Sequence, residues 1–367
     1  MNILIIEPYY TGSHKQWADS YKKHSQHKIE ILSMKGQFWK WRMHGGGITL
    51  AKQFNELDWT PDLLLTTDML DLTTFISLTK KKSYNIPTAI YFHENQLSYP
   101  WSLNDRDNQK NHNYHYSFIN YASALAADKV LFNSKFHMDS FFNEIHPFLK
   151  HFPDYQELDT IDVIRKKSQI LYLGIDLSKF DGHKIIKEDT PVIVWNHRWE
   201  YDKNPELFFS ILEKIKNNGF KFKLVILGEN FSTSPEIFEK AKNLFKSEII
   251  HWGYAQSYKN YAKWLLKADI LPVTSNQEFF GASVMEAIYC GTWPILPCRL
   301  SYPELIPKDK HADHLYLNEN ELYEKIIWAL KNCRMIRESK ISSMAYSFDW
   351  KNMAHNYDQT LKDIRLS

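Results

Sequence analysis

The chain has 367 residues, of which 44% are hydrophobic and 24% are charged, and its formal net charge is +2. This length suits two α/β domains better than one small core, and the composition is that of an ordinary globular protein. No apolar run reaches membrane-spanning length, so no membrane anchor is expected, and the small net charge requires any polyanionic partner to bind at a local basic patch.

The amino terminus and the cysteines indicate a cellular location. Residues 1–7 have the pattern of a strand and not of a signal peptide. The three cysteines form neither a metal-binding nor a disulfide pattern, which is typical of a reducing compartment. The sequence therefore predicts a cytoplasmic protein.

Apolar strand-like runs alternate with amphipathic segments along the whole chain, which predicts an α/β fold with parallel sheets covered by helices. The predicted strands of the first half are 2–7, 29–33, 62–66, 88–93, 129–133 and 169–173. Those of the second half are 191–196, 221–227, 248–252, 269–273 and 293–296. The charged stretch 176–189 has no apolar period and is predicted to be a linker. We expect two Rossmann-like doubly wound domains, residues 1–180 and 190–347, facing each other across a cleft, and a terminal helix within 348–367.

Small and polar residues follow two predicted strands of the first half. After the first strand, Gly12 would let a ligand approach the backbone, and Ser13 could cap the next helix. The fourth strand ends at His93, and three further polar residues follow it: Glu94, Asn95 and Gln96. His93 could orient a hydroxyl or hold a donor, although a single histidine at a strand end is more often a structural hydrogen-bonding residue.

A ring-rich basic segment ends in three consecutive glycines at positions 45–47. Its rings and cations are Trp39, Lys40, Trp41, Arg42 and His44. The glycines predict a mobile loop. A lid over an acceptor and an ordinary surface connection are about equally supported.

In the second half, Arg198 and Lys203 follow the strand 191–196. Two cations at the carboxyl end of a strand suit a diphosphate, because arginine offers a planar fork of donors and lysine a compact charge. They could also stabilise charge on a departing diphosphate, and a pair of surface cations explains the pattern equally well. Neither half carries the G-x-G-x-x-G fingerprint, so no dinucleotide cofactor is expected.

Two glutamates, Glu278 and Glu286, lie eight positions apart on either side of a predicted helix start. A helix amino terminus offers free N–H groups to a phosphate, and carboxylates accept hydrogen bonds from sugar hydroxyls. Both glutamates could instead be solvated surface residues. However, Glu286 lies in a largely apolar helix, where an unpaired charge would be costly. The pattern favours a nucleotide-sugar ligand.

Together these residues resemble the retaining family-four glycosyltransferases of the GT-B fold. The resemblance is carried by Arg198 and Lys203, by Glu278 and Glu286, by His93, and by the Phe-Asp-Trp sequence at 348–350 before the last helix. In that family the last helix crosses back to the first domain. More narrowly, residues 9–14 and 93–96 resemble the glycosyltransferase-like domain-containing group that includes the tRNA-queuosine α-mannosyltransferase.

The resemblance implies a role for each motif. Glu278 would hold hydroxyls of the donor hexose, Glu286 the nucleotide ribose, and Arg198 and Lys203 the diphosphate. The implied donor site consists of Gly12, Ser13, His14, Arg198, Lys203, Gly253, Tyr254, Glu278, Phe280, Gly281, Ala282, Ser283 and Glu286. The residues implied to be catalytic are His93, Glu278, Arg198 and Lys203. Such enzymes retain the anomeric configuration without an obvious protein nucleophile, usually through a front-side attack in which the leaving phosphate takes the acceptor proton. They need neither metal nor cofactor.

The narrower resemblance implies transfer of mannose from GDP-mannose to the cyclopentene-diol of queuosine in the anticodon of tRNA-Asp. The candidate tRNA-binding residues are Trp39, Lys40, Trp41, Arg42, His44, Glu94, Asn95 and Gln96. An RNA also needs basic surface, which the first half offers at residues 22–23, 35, 40, 42, 80–82, 106, 110 and 165–167. Two alternatives stay open: a lipid or saccharide acceptor on the same fold, and a noncatalytic RNA-binding protein with a relict nucleotide pocket.

Overall fold

The structure, a computed structural model, describes residues 1–101, 114–183, 185–228 and 235–366. It divides into two compact units. The first comprises Met1–Asp176 and Trp350–Ser367, and the second comprises Leu177–Asp349. Arg106 and Lys110, two of the predicted basic residues, lie outside the described residues.

The first unit is built on a parallel six-stranded sheet with the order β2-β1-β3-β4-β5-β6. Its strands are β1 (Asn2–Tyr10), β2 (Lys28–Lys35), β3 (Leu63–Thr67), β4 (Thr88–Phe92), β5 (Lys129–Phe132) and β6 (Ser168–Ile170). Strands β3 and β4 are buried along their whole length. This burial explains their continuous apolar sequence, since helices cover both faces of parallel sheets.

Seven described helices belong to the first unit. They are α1 (Gly12–His24), α2 (Trp39–Glu56), α3 (Leu72–Ser83), α4 (Tyr114–Ala126), α5 (Lys135–Lys150), α6 (Thr160–Lys166) and the last helix, α15 (Trp350–Leu366). The last helix packs onto this unit, as predicted. Trp350 stacks on Tyr21, and Asp358 accepts a hydrogen bond from the Tyr21 hydroxyl at 2.8 Å. Gly174 leaves room for the Trp350 side chain, because a Cβ on residue 174 would lie 2.5 Å from the indole ring.

The prediction of a mobile loop at residues 45–47 is wrong, because all three glycines lie within α2. Each costs helix stability, but each permits a close contact. A Cβ on Gly45 would lie 2.6 Å from the Trp41 ring, one on Gly46 2.9 Å from Pro8, and one on Gly47 2.9 Å from a backbone oxygen of α3's N-cap. The glycines therefore provide packing and not mobility.

The second unit contains another parallel six-stranded sheet, with the order β12-β11-β10-β7-β8-β9. Its strands are β7 (Val192–Trp195), β8 (Lys223–Leu227), β9 (Ile249–Gly253), β10 (Ile270–Pro272), β11 (Trp293–Pro297) and β12 (Leu315–Tyr316). Sequence analysis missed β12, since two residues are too short to show a period. The described helices are α7 (Pro205–Asn217), α8 (Ile237–Leu244), α9 (Tyr258–Lys267), α10 (Ala282–Tyr289), α11 (Tyr302–Leu305), α12 (His311–His314), α13 (Glu319–Lys331) and α14 (Cys333–Glu338).

In each sheet the strand order reverses once. The reversal lies between β1 and β3 in the first unit and between β7 and β10 in the second. Ligands of doubly wound sheets bind outside the carboxyl ends of the strands at such a switch point. Each unit therefore has one candidate half-site at its switch point.

Candidate functional site

The switch point of the first unit carries a buried polar cluster of Glu7, His14, Asp68 and His93. Glu7 lies in β1 and is fully buried, and its Oε2 is 2.9 Å from Nδ1 of His14 in α1. Asp68 follows β3 and accepts a hydrogen bond from the backbone N–H of His93 at 2.8 Å. The imidazole rings of His14 and His93 are 4.2 Å apart. The fold thus joins residues from three strand ends.

The members of this cluster have different protonation preferences. Burial works against charge on His14, but the Glu7 carboxylate outweighs it and raises the pKa of His14 to about 9. Burial, with the nearby Glu94, raises the pKa of Asp68 to about 8. Burial and the neighbouring His14 lower the pKa of His93 well below its ordinary value. At neutral pH, His14 is therefore cationic and His93 is neutral.

Glu7, His14 and His93 could also hold a metal ion, since each offers a ligand atom within 4.8 Å of the others. However, Nδ1 of His14 is already engaged by Glu7, so these two groups are satisfied as a charge pair without an ion. The absence of a metal requirement stays a prediction. Nε2 of His93 is buried and has no hydrogen-bond partner among the described residues, so it is an unsatisfied polar atom at this switch point.

The polar residues after β4 differ in accessibility. Asn95 is fully buried, and its Oδ1 accepts hydrogen bonds from the N–H groups of residues 97 and 98. Gln96 is buried as well, and its side chain donates to Glu94 at 3.1 Å. Asn95 therefore shapes the turn, and Glu94 is the partly exposed member of the three.

The segment before and within the first turns of α2 presents two exposed rings. Phe38 is 75% exposed and has φ 54°, and Trp41 is 62% exposed. Trp39 packs instead against Trp101 and Tyr116, with ring distances of 5.9 and 5.3 Å. A bulky residue in the left-handed region is uncommon and strained. Sequence analysis did not identify Phe38 as a candidate site residue, because the sequence does not directly reveal the φ angle of a residue.

The remaining predicted residues near this segment have structural contacts. The Lys40 ammonium lies 5.7 Å from the Trp39 ring. The Arg42 Nε donates to the backbone oxygen of Lys35 at 3.0 Å, and the His44 ring lies 4.8 Å from that of His115. Gly12 has φ 50° and begins α1, and nothing lies within 4 Å of a Cβ placed on it. Ser13 does not cap α1, because Thr11 is the N-cap residue.

In the second unit, Lys203 is the centre of a buried ion-pair network. Its Nζ lies 3.1 Å from Asp202, 3.4 Å from Glu278 and 2.7 Å from the backbone oxygen of Gln277. Burial opposes the charge, but the Glu278 and Asp202 carboxylates raise the pKa of Lys203. Arg198 is half-exposed and forms an ion pair with Glu200 at 3.2 Å. The two predicted cations thus differ: one is fixed and buried, and the other is accessible.

The start of α10 has the local geometry that the sequence predicts. Gly281 is the N-cap residue with φ 102°, and a Cβ on it would lie 3.3 Å from Leu305. The backbone N–H groups of Ala282 and Ser283 have no acceptor in the part of the chain that the structure describes. Phe280, just before the N-cap, is buried against Phe348 and so supports the turn. These two N–H groups are available to an anion.

Glu286 lies inside α10 and is 8% exposed. Its Oε1 is 2.7 Å from Nζ of Lys179, and its Oε2 accepts a hydrogen bond from the Tyr261 hydroxyl at 2.7 Å. Sequence analysis missed Lys179 and Tyr261, because these contacts with Glu286 join residues 107 and 25 positions apart in the chain.

The predicted residues Gly253 and Tyr254 lie at the end of β9. Gly253 is its last residue and has φ 110°, and Tyr254, which follows it, is 62% exposed.

Comparison with known proteins agrees with this architecture. A family model described as tRNA-queuosine alpha-mannosyltransferase N-terminal matches residues 2–175, and one described as glycosyl transferases group 1 matches residues 178–346. The tRNA-queuosine alpha-mannosyltransferase of Drosophila melanogaster is 36% identical over 347 residues, which cover 92% of this chain and 88% of that protein.

Two solved structures are similar over nearly their whole length. A glycosyltransferase from Rickettsia africae has 16% identity and a TM-score of 0.66, and covers 99% of this chain and 98% of its own. A sucrose-phosphate synthase from Thermosynechococcus elongatus has 12% identity and a TM-score of 0.71, with the same coverage. At these identities the likeness concerns the fold alone.

The two sheets, the helix that returns to the first unit and the group 1 match define a glycosyltransferase of the GT-B fold, as predicted. Such enzymes use a nucleotide-sugar donor. The extent and identity of the match to the Drosophila protein narrow the class further. The chain belongs to the tRNA-queuosine alpha-mannosyltransferase family. None of the described helices is long and apolar enough to cross a membrane.

Proposed function

We propose that this protein transfers mannose from GDP-mannose to the cyclopentene-diol of queuosine in the anticodon of tRNA-Asp, with retention of anomeric configuration. The observation that carries the proposal is the 36% identity over 92% of the chain to the Drosophila tRNA-queuosine alpha-mannosyltransferase. The match includes residues 2–175, the half in which the acceptor-binding residues are expected. The tRNA acceptor makes the cytoplasm the proposed location.

The second unit supplies the chemistry for the donor. Lys203 and Arg198 carry positive charge near the β7–β10 switch point. The N–H groups at the start of α10, which have no acceptor among the described residues, can donate hydrogen bonds to a phosphate. Glu278 accepts hydrogen bonds from hydroxyls of mannose, and Glu286 accepts hydrogen bonds from those of ribose. Because Lys203 is held in place by two carboxylates, it can stabilise the charge of the departing diphosphate without first having to become ordered.

The first unit contributes a neutral histidine and the acceptor-binding residues. Nε2 of His93, which has no partner among the described residues, can hydrogen-bond a hydroxyl of the transferred sugar. Phe38 and Trp41 offer stacking surfaces, with cations of the segment 35–42 beside them. Single-stranded RNA is recognised by such stacking of unpaired bases, combined with phosphate contacts. The acceptor diol is itself uncharged, so the phosphates of the anticodon stem provide most of the binding energy.

Nucleoside mass analysis tests the proposal. The protein is incubated with GDP-mannose and either queuosine-bearing tRNA-Asp or the same tRNA without queuosine, and the digested nucleosides are then analysed. We expect one added hexose on queuosine alone, and chromatography against both anomers identifies an α linkage. UDP-glucose in place of GDP-mannose serves as the donor control.

Each alternative predicts a different result. Hexose transfer to a lipid or saccharide without transfer to tRNA would indicate the same fold with another acceptor. Salt-sensitive tRNA binding with neither donor hydrolysis nor transfer would indicate a noncatalytic RNA-binding protein.

A further inference from the structure

The carboxylate of Glu286 is held from both sides by donors of its own unit. One oxygen is 2.7 Å from the Lys179 ammonium, and the other accepts a hydrogen bond from the Tyr261 hydroxyl at 2.7 Å. Both partners are themselves fixed. Lys179 lies in the short 3₁₀ helix Leu177–Phe180, with its ammonium 4.6 Å from the Tyr258 ring, and Tyr261 lies on α9.

This arrangement defines what the carboxylate can still accept. A carboxylate has about four lone-pair positions, two on each oxygen. Lys179 and Tyr261 each occupy one lone-pair position, so one position is left on each oxygen of Glu286. The same two residues fix the plane of the carboxylate. Two neighbouring acceptors at a fixed spacing suit two neighbouring hydroxyls, and the ribose of a nucleotide carries such a pair.

We propose that Lys179 and Tyr261 are positioning residues for the nucleotide, which hold Glu286 so that it accepts hydrogen bonds from the 2′- and 3′-hydroxyls of the ribose. This inference rests on the proposed ribose-binding role of Glu286. Without Lys179, the buried carboxylate would lose its cation and turn towards other donors. Lys179 therefore acts through Glu286 and does not itself bind the nucleotide.

Calorimetric titration with GDP and with 2′,3′-dideoxy-GDP tests this role. We expect Lys179→Met and Tyr261→Phe to weaken GDP binding by about tenfold, in line with the contribution of hydrogen bonds to charged groups. Dideoxy-GDP binding should change little, because that ligand lacks the hydroxyls. Lys179→Arg should restore part of the GDP affinity. In the transfer assay, the KM for the donor should rise while kcat at saturating donor changes little.

Lys216→Met is the matched control, because Lys216 forms a comparable partly buried pair with Glu248 at 2.9 Å in the same unit. Its affinities for both ligands should equal those of the wild type. If the wild type prefers another nucleoside diphosphate, that nucleotide and its dideoxy form are the ligands to compare.

Three outcomes would overturn the inference. Equal losses for GDP and dideoxy-GDP would show that the effect does not act through the ribose. Tighter GDP binding by Lys179→Met would show that Lys179 competes with the nucleotide. Unchanged GDP affinity in Glu286→Gln would remove the ribose role on which the inference rests. In that case, transfer of mannose to queuosine by the wild type would still support the proposed function. Conversely, the expected differences in GDP binding, together with no mannose transfer by the wild type, would refute the proposed function and leave the inference standing.

Discussion

The buried carboxylate of Glu7 accepts a hydrogen bond from the imidazole of His14, with 2.9 Å between Oε2 and Nδ1. This pair joins the carboxyl-terminal half of β1 to the first turn of α1, at the switch point of the first sheet. It places a cationic histidine beside the neutral His93. The first unit thus contributes one charged and one neutral imidazole at the same place.

The first prediction concerns stability and pH. The Glu7 carboxylate raises the pKa of His14 from 6.5 to about 9 despite the opposing effect of burial. Because the folded pKa is the higher one, the stabilisation is complete below about pH 6.5 and is lost as the pH rises through about 9. Urea denaturation should therefore show a loss between pH 6 and 9.5 in the wild type, of which His14 accounts for roughly 1–3 kcal/mol. His14→Gln should lack this share, whereas the loss due to Asp68, whose pKa is raised by burial to about 8, should remain in both proteins. Equal total losses in both proteins would contradict the assignment to His14.

The second prediction separates Arg198 and Lys203, the two cations of the proposed donor site in the second unit. Arg198→Ala should lower kcat/KM by about 30- to 200-fold, since a charge-assisted contact to a diphosphate contributes about 2–3 kcal/mol. Its melting temperature should stay close to that of the wild type, because Arg198 is half-exposed. Lys203→Ala should lose transfer and also about 3–5 kcal/mol of stability, because it leaves Asp202 and Glu278 without their buried cation. Normal turnover in Arg198→Ala would rule out its diphosphate role.

The third prediction is independence from metal ions. We expect transfer to survive treatment with EDTA, and the purified protein to contain far less than one equivalent of zinc or manganese. Glu7, His14 and His93 are the residues that make this test necessary, because their ligand atoms lie within 4.8 Å of one another. A stoichiometric metal that is lost in His14→Ala, together with activity restored by the ion, would show that the cluster is a metal site.

The fourth prediction concerns the acceptor. Phe38→Ala and Trp41→Ala should each weaken binding of queuosine tRNA by roughly 5- to 100-fold, the range expected for loss of one stacked base. GDP binding should be unchanged. Tyr155→Ala is the matched control, because Tyr155 is another largely exposed ring of the same unit, at 88% exposure. Wild-type tRNA affinity in both Phe38→Ala and Trp41→Ala would exclude this segment from the acceptor site.

The basic clusters call for a more selective test than their sequence indicates. Lys82 donates to the backbone oxygens of Phe54 and Leu57, and Lys167 donates to those of Leu125 and Ala127. Burial lowers the pKa of Lys167. Charge reversal at these two lysines would therefore disturb the fold. For tRNA binding we would reverse the charge of the exposed Lys80 and Lys81 and measure the salt dependence.

Local sequence was sufficient to predict the α/β class, the parallel sheets, eleven of the twelve described strands and the start of α10 at Gly281. The physical reason is that these features depend on near neighbours. Burial on both faces of a parallel sheet produces continuous apolar strands, and a glycine before an apolar period marks the turn at which Gly281 starts the helix. Glu286 lies where this reasoning predicts, inside α10.

The tertiary structure alone decided which charges meet. Glu7 and Asp68 were visible only as single acids at the ends of apolar runs, and the strand order brings them to His14 and His93. Lys179 meets Glu286 across 107 residues. The three glycines of α2 predict a loop by their propensity, but the Trp41 ring, Pro8 and the neighbouring backbone pack against them. Contacts between distant segments depend on how helices and sheets pack, and a sequence pattern of short period carries no record of that packing.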